Sequence, residues 1–272
     1  MIVDILTHEL REKEYMTLTL IVFGIGLIGG GLSGLLGIGG GIVTAPLLLY
    51  LPGLFGQEPL SMHAVGGLTI SQALFASVCG SLGHWRTGNI DRRLAGVMSG
   101  VIFVAALAGG AASRWFSHRF LLGLFLTISL VAALLLLRTQ QEGGQSKYVP
   151  GSFSLPGAVA IALGVGGLGG LVGQAGSFVL IPMAASLLGV PLRVAMGSNM
   201  VIIFFGSLAG FIGKATTGQV PLAPAAALLA GVLPGSLAGV ALSRRVSTRS
   251  LRRVLAGLII AACARMALDL FS

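Results

Sequence analysis

Long apolar blocks separated by short polar segments dominate the hydropathy pattern of this chain. The blocks lie at 17–36, 42–51, 63–83, 94–112 and 119–137, and again at 157–173, 177–189, 195–213, 221–241 and 251–270. A membrane-spanning helix needs about 20 predominantly apolar residues, and most blocks approach that length. The pattern therefore predicts an all-α integral membrane protein. Blocks 42–51 and 177–189 are too short to cross the bilayer unless they borrow flanking residues.

Each of the two short blocks follows a glycine-rich break, and the two breaks resemble one another. Residues 31–46 read GLSGLLGIGGGIVTAP and residues 167–182 read GLGGLVGQAGSFVLIP, which match at eight of sixteen positions. Two further matches follow in the same order at an offset of 130, Thr87-Gly88 with Thr217-Gly218 and Ser113-Arg114 with Ser243-Arg244. Three ordered matches indicate an internal duplication.

The duplication divides the chain into two homologous helical modules. We expect an N-terminal polar segment at 1–16, a first transmembrane module at 17–137, a polar linker at 138–156 and a second transmembrane module at 157–272. Five segments, or a re-entrant pair plus three crossings, give each module an odd number of crossings. The second module is then inverted relative to the first, with the glycine-broken helices at the centre, as in many secondary transporters.

Composition and charge agree with a membrane protein. Hydrophobic residues make up 55% of the chain and charged residues 9%, whereas a soluble domain carries about 25% charged residues. The net charge of +9 comes mostly from short loops between apolar blocks, where basic residues set topology. The strongest cluster, at 244–253, places its loop in the cytoplasm, and inversion places the 84–93 loop there too. Because no basic stripe with interleaved aromatic residues exists, nucleic acid is not an expected partner.

Broken helices at membrane depth predict a protein-lined cavity, because unpaired backbone groups in hydrocarbon cost several kcal/mol each. A helix that restarts after a break directs free N–H groups and the positive end of its dipole into that cavity, which favours an anion. The alternative is that the glycines only permit close helix packing. Pro46 and Pro182 stand in register after the breaks and favour a helix restart, since Pro is tolerated near a helix start.

The candidate substrate-binding residues come from the breaks and from two buried amides. The break residues are Gly37, Gly39, Gly40, Gly41, Gly173, Gln174, Gly176 and Ser177. Gln72 and Asn199 join them because an amide at membrane depth is costly to bury without a partner. His84, Arg193 and Lys214 are candidate pathway residues that could attract an anion. For these three, contact with lipid headgroups through snorkelling is the competing expectation.

The glycine-rich run at 37–41 with Pro46, its repeat at 173–182 and the run PLRVAMGSN at 191–199 resemble the sulfite exporter TauE/SafE family. The resemblance covers about residues 18 to 270. It implies a multi-pass permease of the bacterial inner membrane, a secondary transporter for a small anion such as sulfite or an organosulfonate. The second break departs from the family pattern, because it reads Gly-Gln-Ala-Gly-Ser, and this leaves the particular anion open.

An enzyme is the alternative reading. Gly31-Leu32-Ser33-Gly34 matches the GxSG of rhomboid intramembrane serine proteases, with Ser33 as nucleophile, but every histidine lies at a block end or outside the blocks. We therefore expect no enzymatic activity, no metal and no cofactor. No carboxylate lies deep within a block, so a carboxylate proton relay has no candidate. The sequence leaves both a monomer and a homodimer open.

Overall fold

The computed structural model describes residues 2–36, 40–85, 90–138, 148–173, 177–243, 257, 260 and 263–268. Within these residues the secondary structure is helical, with no strand, which confirms the predicted all-α class. Five of the described helices are long and apolar enough to cross a membrane, and shorter apolar helices accompany them.

Nine α-helices and one short 3-10 helix make up the main described elements. They are α1 (Ile2–Leu36), α2 (Gly41–Leu54), α3 (Met62–Trp85), α4 (Arg92–Ala112), the 3-10 helix Ser113–Trp115, α5 (His118–Arg138), α6 (Leu155–Val172), α7 (Ser177–Leu187), α8 (Leu192–Ala215) and α9 (Leu222–Ser243). Their bounds follow the predicted apolar blocks closely. One difference concerns the segment predicted as polar at 1–16, because α1 begins at Ile2 and is continuous with the first apolar block.

Helices α1 and α9 pack with their backbones almost in contact, because glycines face the partner helix on both sides. A Cβ atom at Gly30 would lie 2.8 Å from Cα of Val232, and one at Gly34 would lie 3.0 Å from the carbonyl carbon of Ser236. Similar contacts involve Gly26, Gly231, Gly235 and Gly239. Residue numbers rise together along the contact, so the two helices run parallel.

Helices α4 and α6 form a second close pair. A Cβ atom at Gly166 would lie 3.1 Å from Cα of Ile102, and one at Gly170 would lie 3.0 Å from Cα of Ala106. This pair also runs parallel. In the predicted modules, α1 and α6 are the first helices and α4 and α9 are the fourth. Each close pair therefore joins the first helix of one module to the fourth helix of the other.

Helices α3 and α8 pack against each other and connect the two close pairs, since α8 also packs on α4 and α3 on α9. A Cβ atom at Gly66 in α3 would lie 3.2 Å from the Nζ atom of Lys214, while Gly210 meets the side chain of Ile70. Residue numbers fall along α8 as they rise along α3, so these two helices run antiparallel. The breaks of the chain lie beside this central pair.

Asp91 joins the start of α4 to the described segment that precedes α6. Its carboxylate accepts hydrogen bonds from the Tyr148 hydroxyl at 2.7 Å and from the Gly151 N–H at 2.6 Å. The same side chain caps α4 by accepting from two N–H groups of its first turn, and the Asp91 N–H donates to Ser198 Oγ at 3.0 Å. Asp91 lies between apolar blocks, as the sequence indicates, but it is 2% exposed because the chain at 148–151 folds over it.

Close glycine contact predicts a large stability difference between two Gly→Ala substitutions on the same helix. Gly30→Ala should lower stability by about 1–3 kcal/mol, because its methyl group would press on the α9 backbone. Gly24→Ala should be neutral or stabilising by about 0.5–1 kcal/mol, since nothing lies within 4 Å of its Cβ position. Thermal unfolding in detergent micelles measures both, and equal effects would contradict the close α1–α9 contact.

The environment of Asp91 predicts how stability depends on pH. Burial raises the pKa of the Asp91 carboxyl, but the hydrogen bonds from Tyr148 and from backbone N–H groups outweigh it and leave the pKa below its usual value. A lowered folded-state pKa gives a contribution that is fully present above the unfolded value of about 3.9 and is lost as pH falls through the folded value.

Asp91→Ala should therefore lower stability by at least the ~1.5–3 kcal/mol of one charge-assisted hydrogen bond. The gap between wild type and variant should stay constant from about pH 5 to 8 and shrink below about pH 4. Unfolding midpoints across this pH range give the measurement, with the exposed loop variant Glu58→Gln as control. A gap that widens towards acid pH would rule out the carboxylate as the stabilising form.

Candidate functional site

Both glycine-rich breaks end one helix and begin another with the backbone in a conformation that glycine favours. Gly40 precedes α2 with a φ of 70°, in the left-handed region, and no side chain caps the helix at this residue. Gly173 follows α6 with a φ of 93°. L-residues with side chains rarely adopt these conformations. The chain is thus interrupted at corresponding positions of the two modules.

The first break lies against the side chain of Gln72 in α3. A Cβ atom at Gly40 would lie 2.6 Å from Gln72 Nε2 and 3.1 Å from Ser33 Cβ. On α1, a Cβ atom at Gly29 would lie 2.8 Å from the same Nε2 atom. The missing side chains at Gly29 and Gly40 therefore make the space that the Gln72 amide occupies.

The second break lies against the same helix, three to six residues before Gln72. A Cβ atom at Gly173 would lie 2.5 Å from Thr69 Oγ1 and 2.7 Å from the Gly66 carbonyl oxygen. Gly66 and Gln72 are separated by about 9 Å along the helix axis at 1.5 Å per residue. The two breaks, far apart in sequence, thus meet neighbouring parts of α3.

Gln72 and Asn199 are fully buried and carry unused hydrogen-bonding groups. Each is 0% exposed, and neither the oxygen nor the nitrogen of either amide has a hydrogen-bond partner among the described residues. A buried polar group without a partner costs about 1–3 kcal/mol. Such amides are suited to a polar ligand or to water that enters the site.

Lys214 is the buried cation next to the second break. It is 0% exposed, and its Nζ atom donates to Ser113 Oγ at 2.8 Å, Gln219 Oε1 at 3.2 Å and the Leu171 carbonyl oxygen at 3.1 Å. These three acceptors are neutral, and no ion pair to a carboxylate is found for Lys214 within the described part of the chain. The expectation that Lys214 snorkels to the headgroups is wrong, because the protein interior supplies all three acceptors.

Leu171 lies in the last turn of α6, so the ammonium group sits where that helix ends and the second break begins. The Gly66 position confirms this closeness, since a Cβ atom there would lie 3.2 Å from Lys214 Nζ and 3.3 Å from the Val172 carbonyl oxygen. Hydropathy could not reveal this arrangement. The repeat of the Thr-Gly pair after Lys214 is the sequence signal that points to the region.

Ser113, Lys214, Thr217 and Gln219 form one hydrogen-bonded group, called here the Lys214 cluster. Ser113 Oγ lies 2.7 Å from Gln219 Oε1, and Gln219 Nε2 donates to Thr217 Oγ1 at 2.6 Å and to the Gly110 carbonyl oxygen at 3.3 Å. Sequence reasoning named Lys214 but missed Ser113 and Gln219. Within the cluster both atoms of the Gln219 amide are bonded, in contrast to those of Gln72.

A small cavity of about 40 Å³ lies beside the second break. Its wall includes Gly173 of the break itself and Ile70, Leu180 and Ser207 from three different helices. A cavity needs roughly 10–15 Å³ to hold one water molecule, so this one has room for only a few.

Several candidate residues fall outside the described parts of the structure. These are Gly37, Gly39, Gln174 and Gly176, together with the side chains of His84, Ser177 and Arg193. Gly41 is described and buried at the first position of α2. The structure brings Gly40, Gly173 and Lys214 against α3, the helix that carries Gln72. Asn199 lies in the buried part of α8.

The protease alternative finds no catalytic partner for Ser33 in the described residues. Ser33 is 3% exposed and lies next to Gly40. His63 Nε2 lies 3.2 Å from the Ser113 carbonyl oxygen, and His118 Nδ1 accepts from the Met62 N–H at 2.9 Å. Both histidines thus bond to groups at other helix ends. No cluster of metal-ligating side chains occurs among the residues described.

Comparison with known proteins gives one family over most of the chain. The family described as sulfite exporter TauE/SafE matches residues 22–266. The probable membrane transporter protein YunE of Bacillus subtilis is 28% identical over 250 residues, covering 84% of this chain and 89% of its own. The probable membrane transporter protein MJ0441 of Methanocaldococcus jannaschii is 24% identical, covering 91% and 95%. No solved structure gives a significant match.

The contrast between two buried glutamines predicts opposite effects of the same substitution. Gln72→Leu should leave stability unchanged or raise it, because leucine has a similar volume and the substitution removes an amide that has no hydrogen-bond partner among the described residues. Gln219→Leu should lower stability by about 1–3 kcal/mol or more, because it removes the acceptor that Lys214 and Ser113 share and the donor to Thr217 and the Gly110 carbonyl. Unfolding midpoints in micelles test the pair, and an equal loss in both variants would mean that Gln72 has a partner in the folded protein.

Proposed function

The chain belongs to the sulfite exporter TauE/SafE family, and on that premise we propose that it is a secondary transporter for a small anion. Sulfite or an organosulfonate is the proposed substrate, and the bacterial inner membrane is the proposed location. Membership in a transporter family also rules out the protease alternative. The observation that carries the proposal is the meeting of both glycine-rich breaks at α3, with the ammonium group of Lys214 beside the second.

Electrostatics at the breaks favours a negatively charged ligand. The N-terminus of a helix carries about half a positive charge from its free N–H groups, and α2 and α7 both begin at a break. The Lys214 amine, whose bonded neighbours are neutral, is a third group that can attract an anion, because an anion bound beside it favours the protonated form. An anion entering here would gain attraction from all three, and no carboxylate is bonded to Lys214 to compete with it in the described residues.

Hydrogen-bond donors for the anion come from amides and backbone. The unpartnered Gln72 amide at the first break supplies two donors. Asn199 corresponds to Thr69 at the repeat offset of 130, and Thr69 lies beside Gly173. We therefore pair Asn199 with Gly37, the sequence counterpart of Gly173, in the proposed site. We include Gly39, Gly40, Gly41, Gln174, Gly176 and Ser177 in the proposed site as residues of the breaks.

The helix directions support inverted repeats. A two-fold axis in the membrane plane that exchanges the modules would exchange the α1–α9 pair with the α6–α4 pair. Both pairs are parallel and both are lined by glycines, which agrees with such an exchange. Helices α3 and α8, the third helix of each module, run antiparallel, as expected for equivalent helices related by an axis in the membrane plane. Under this symmetry His84 corresponds to Lys214 and would lie near the end of α1. We propose that His84 and Arg193 guide the anion towards the breaks.

Inverted topology predicts that two equivalent loops face opposite sides of the membrane. Single cysteines introduced at Thr87 and Thr217 should react with a membrane-impermeant maleimide from opposite sides in intact cells and inverted vesicles. Cysteine at the exposed residue Glu58 serves as a third reference point. Labelling of the first two positions from the same side would exclude inversion.

Transport should depend on the charge of Lys214 and on the Gln72 amide. Lys214→Met should reduce apparent anion affinity at least tenfold, and Gln72→Leu by about ten- to hundredfold, since a hydrogen bond to a charged group contributes about 1.5–3 kcal/mol. Proteoliposome flux with sulfite, sulfonates, carboxylates and chloride is the measurement. Arg114→Gln is the matched control, because this cation is exposed and stacks on Trp115.

Because Lys214→Met also removes hydrogen bonds, thermal unfolding must show that the variant remains folded. The Gln72→Leu variant removes this concern, since it is expected to fold as well as wild type. Unchanged flux in folded Lys214→Met and Gln72→Leu proteins would place the substrate elsewhere. Flux of none of the anions by the wild-type protein would refute anion transport itself.

A further inference from the structure

An open groove of about 700 Å³ lies between α4 and α8, outside the central site. The groove is lined by Arg92, Gly96, Ser99, Gly100, Phe103 and Phe205 among others. Arg92, Gly96 and Gly100 are exposed, and Phe205 is 40% exposed, so the groove opens on the outer surface of the helix bundle. In a membrane protein this surface faces lipid.

Two glycines of α4 keep the groove open. A Cβ atom at Gly96 or at Gly100 would meet nothing within 4 Å, so neither glycine is required for helix packing. At the repeat offset of 130, the corresponding residues of α9 are Ala226 and Ala230. The two glycines that keep the space open are therefore particular to the first module.

Ser99 places a hydroxyl group without a partner in the wall of this groove. The residue is 6% exposed, and its Oγ atom has no hydrogen-bond partner among the described residues. A serine within a helix usually bonds to a carbonyl of the preceding turn, as Ser71 does in α3. The counterpart of Ser99 in α9 is Leu229. A ligand with a polar atom at this depth would satisfy the hydroxyl.

The length and charge of the groove fit a lipid molecule of one leaflet. Arg92 opens the span of α4, and the eleven residues to Phe103 cover about 16 Å of helix. This equals about half of the ~30 Å hydrocarbon thickness of a bilayer. The basic residues in the loops place the Arg92 end at the cytoplasmic face, where anionic lipids attract cations.

We propose that this groove binds one anionic phospholipid. The phosphate lies at the Arg92 guanidinium, and the glycerol backbone occupies the space beside Gly96. The Ser99 hydroxyl donates to an ester oxygen. One acyl chain then follows Gly100, Phe103 and Phe205 towards the centre of the bilayer. A second copy of this chain is the competing occupant, but a groove one leaflet deep with a cation at its end suits a lipid better than a helix that spans both leaflets.

Native mass spectrometry after reconstitution with phosphatidylglycerol and phosphatidylcholine tests the proposal. The wild-type protein should retain one phosphatidylglycerol in preference to phosphatidylcholine. Arg92→Gln should reduce that preference about fivefold, the equivalent of about 1 kcal/mol for one cation at the surface. Ser99→Ala should weaken retention of both lipids. Gly100→Leu should abolish retention, because its side chain fills the groove.

Gly164→Leu is the matched control, because Gly164 is exposed on α6 and nothing lies within 4 Å of its Cβ position. It should retain lipid as wild type does. Retention by Gly100→Leu equal to wild type would overturn the proposal. The proposal would also be overturned if the wild-type protein were a dimer and Gly100→Leu a monomer with the same lipid count. A second copy of the chain would then occupy the groove in the wild-type protein. Lipid retention is measured independently of transport, so the lipid proposal is tested separately from the proposed anion site.

Discussion

A polypeptide that interrupts a helix inside a membrane must provide partners for the backbone groups that the interruption frees. This chain interrupts its helices at two corresponding places, and the centre of the fold is organised around them. Helix α3 passes both breaks, Gln72 fills the space left by two glycines at the first, and Lys214 bonds to a carbonyl where α6 ends before the second. The same free groups that require such partners are what an anion would bind.

The surroundings of the breaks are held by backbone contact rather than by large side chains. In the α1–α9 and α4–α6 pairs, glycines let the helices approach until a methyl group no longer fits. Lipid gives little hydrophobic driving force between helices, so close van der Waals packing of this kind is a main source of association. Stiff outer pairs and a polar, incompletely bonded centre are a suitable combination for a carrier that must bind and release.

Hydropathy alone predicted the helices closely, because a block of apolar residues at membrane length has few other structures available. The sequence also identified both breaks and the two amides that the structure finds buried. It did not predict the burial of Lys214, a candidate pathway residue with snorkelling as the alternative, or that of Asp91, which was assigned to a loop. Lys214 is buried because Ser113, about one hundred residues earlier, and the end of α6 supply its acceptors, and Asp91 because Tyr148 folds over it. Such partners come from tertiary packing, which no local pattern encodes.

The pairing of first with fourth helices has a consequence for biogenesis. During synthesis only the short 3-10 helix, α5 and the polar linker separate α4 from its partner α6, so that pair can close early. Helix α1 leaves the ribosome first but must wait for α9, almost the whole chain later. Until then its glycine face lies against lipid or against a temporary neighbour. A chain that stops before α9 would therefore lose the partner of its N-terminal helix, even though the missing residues lie at the opposite end of the sequence.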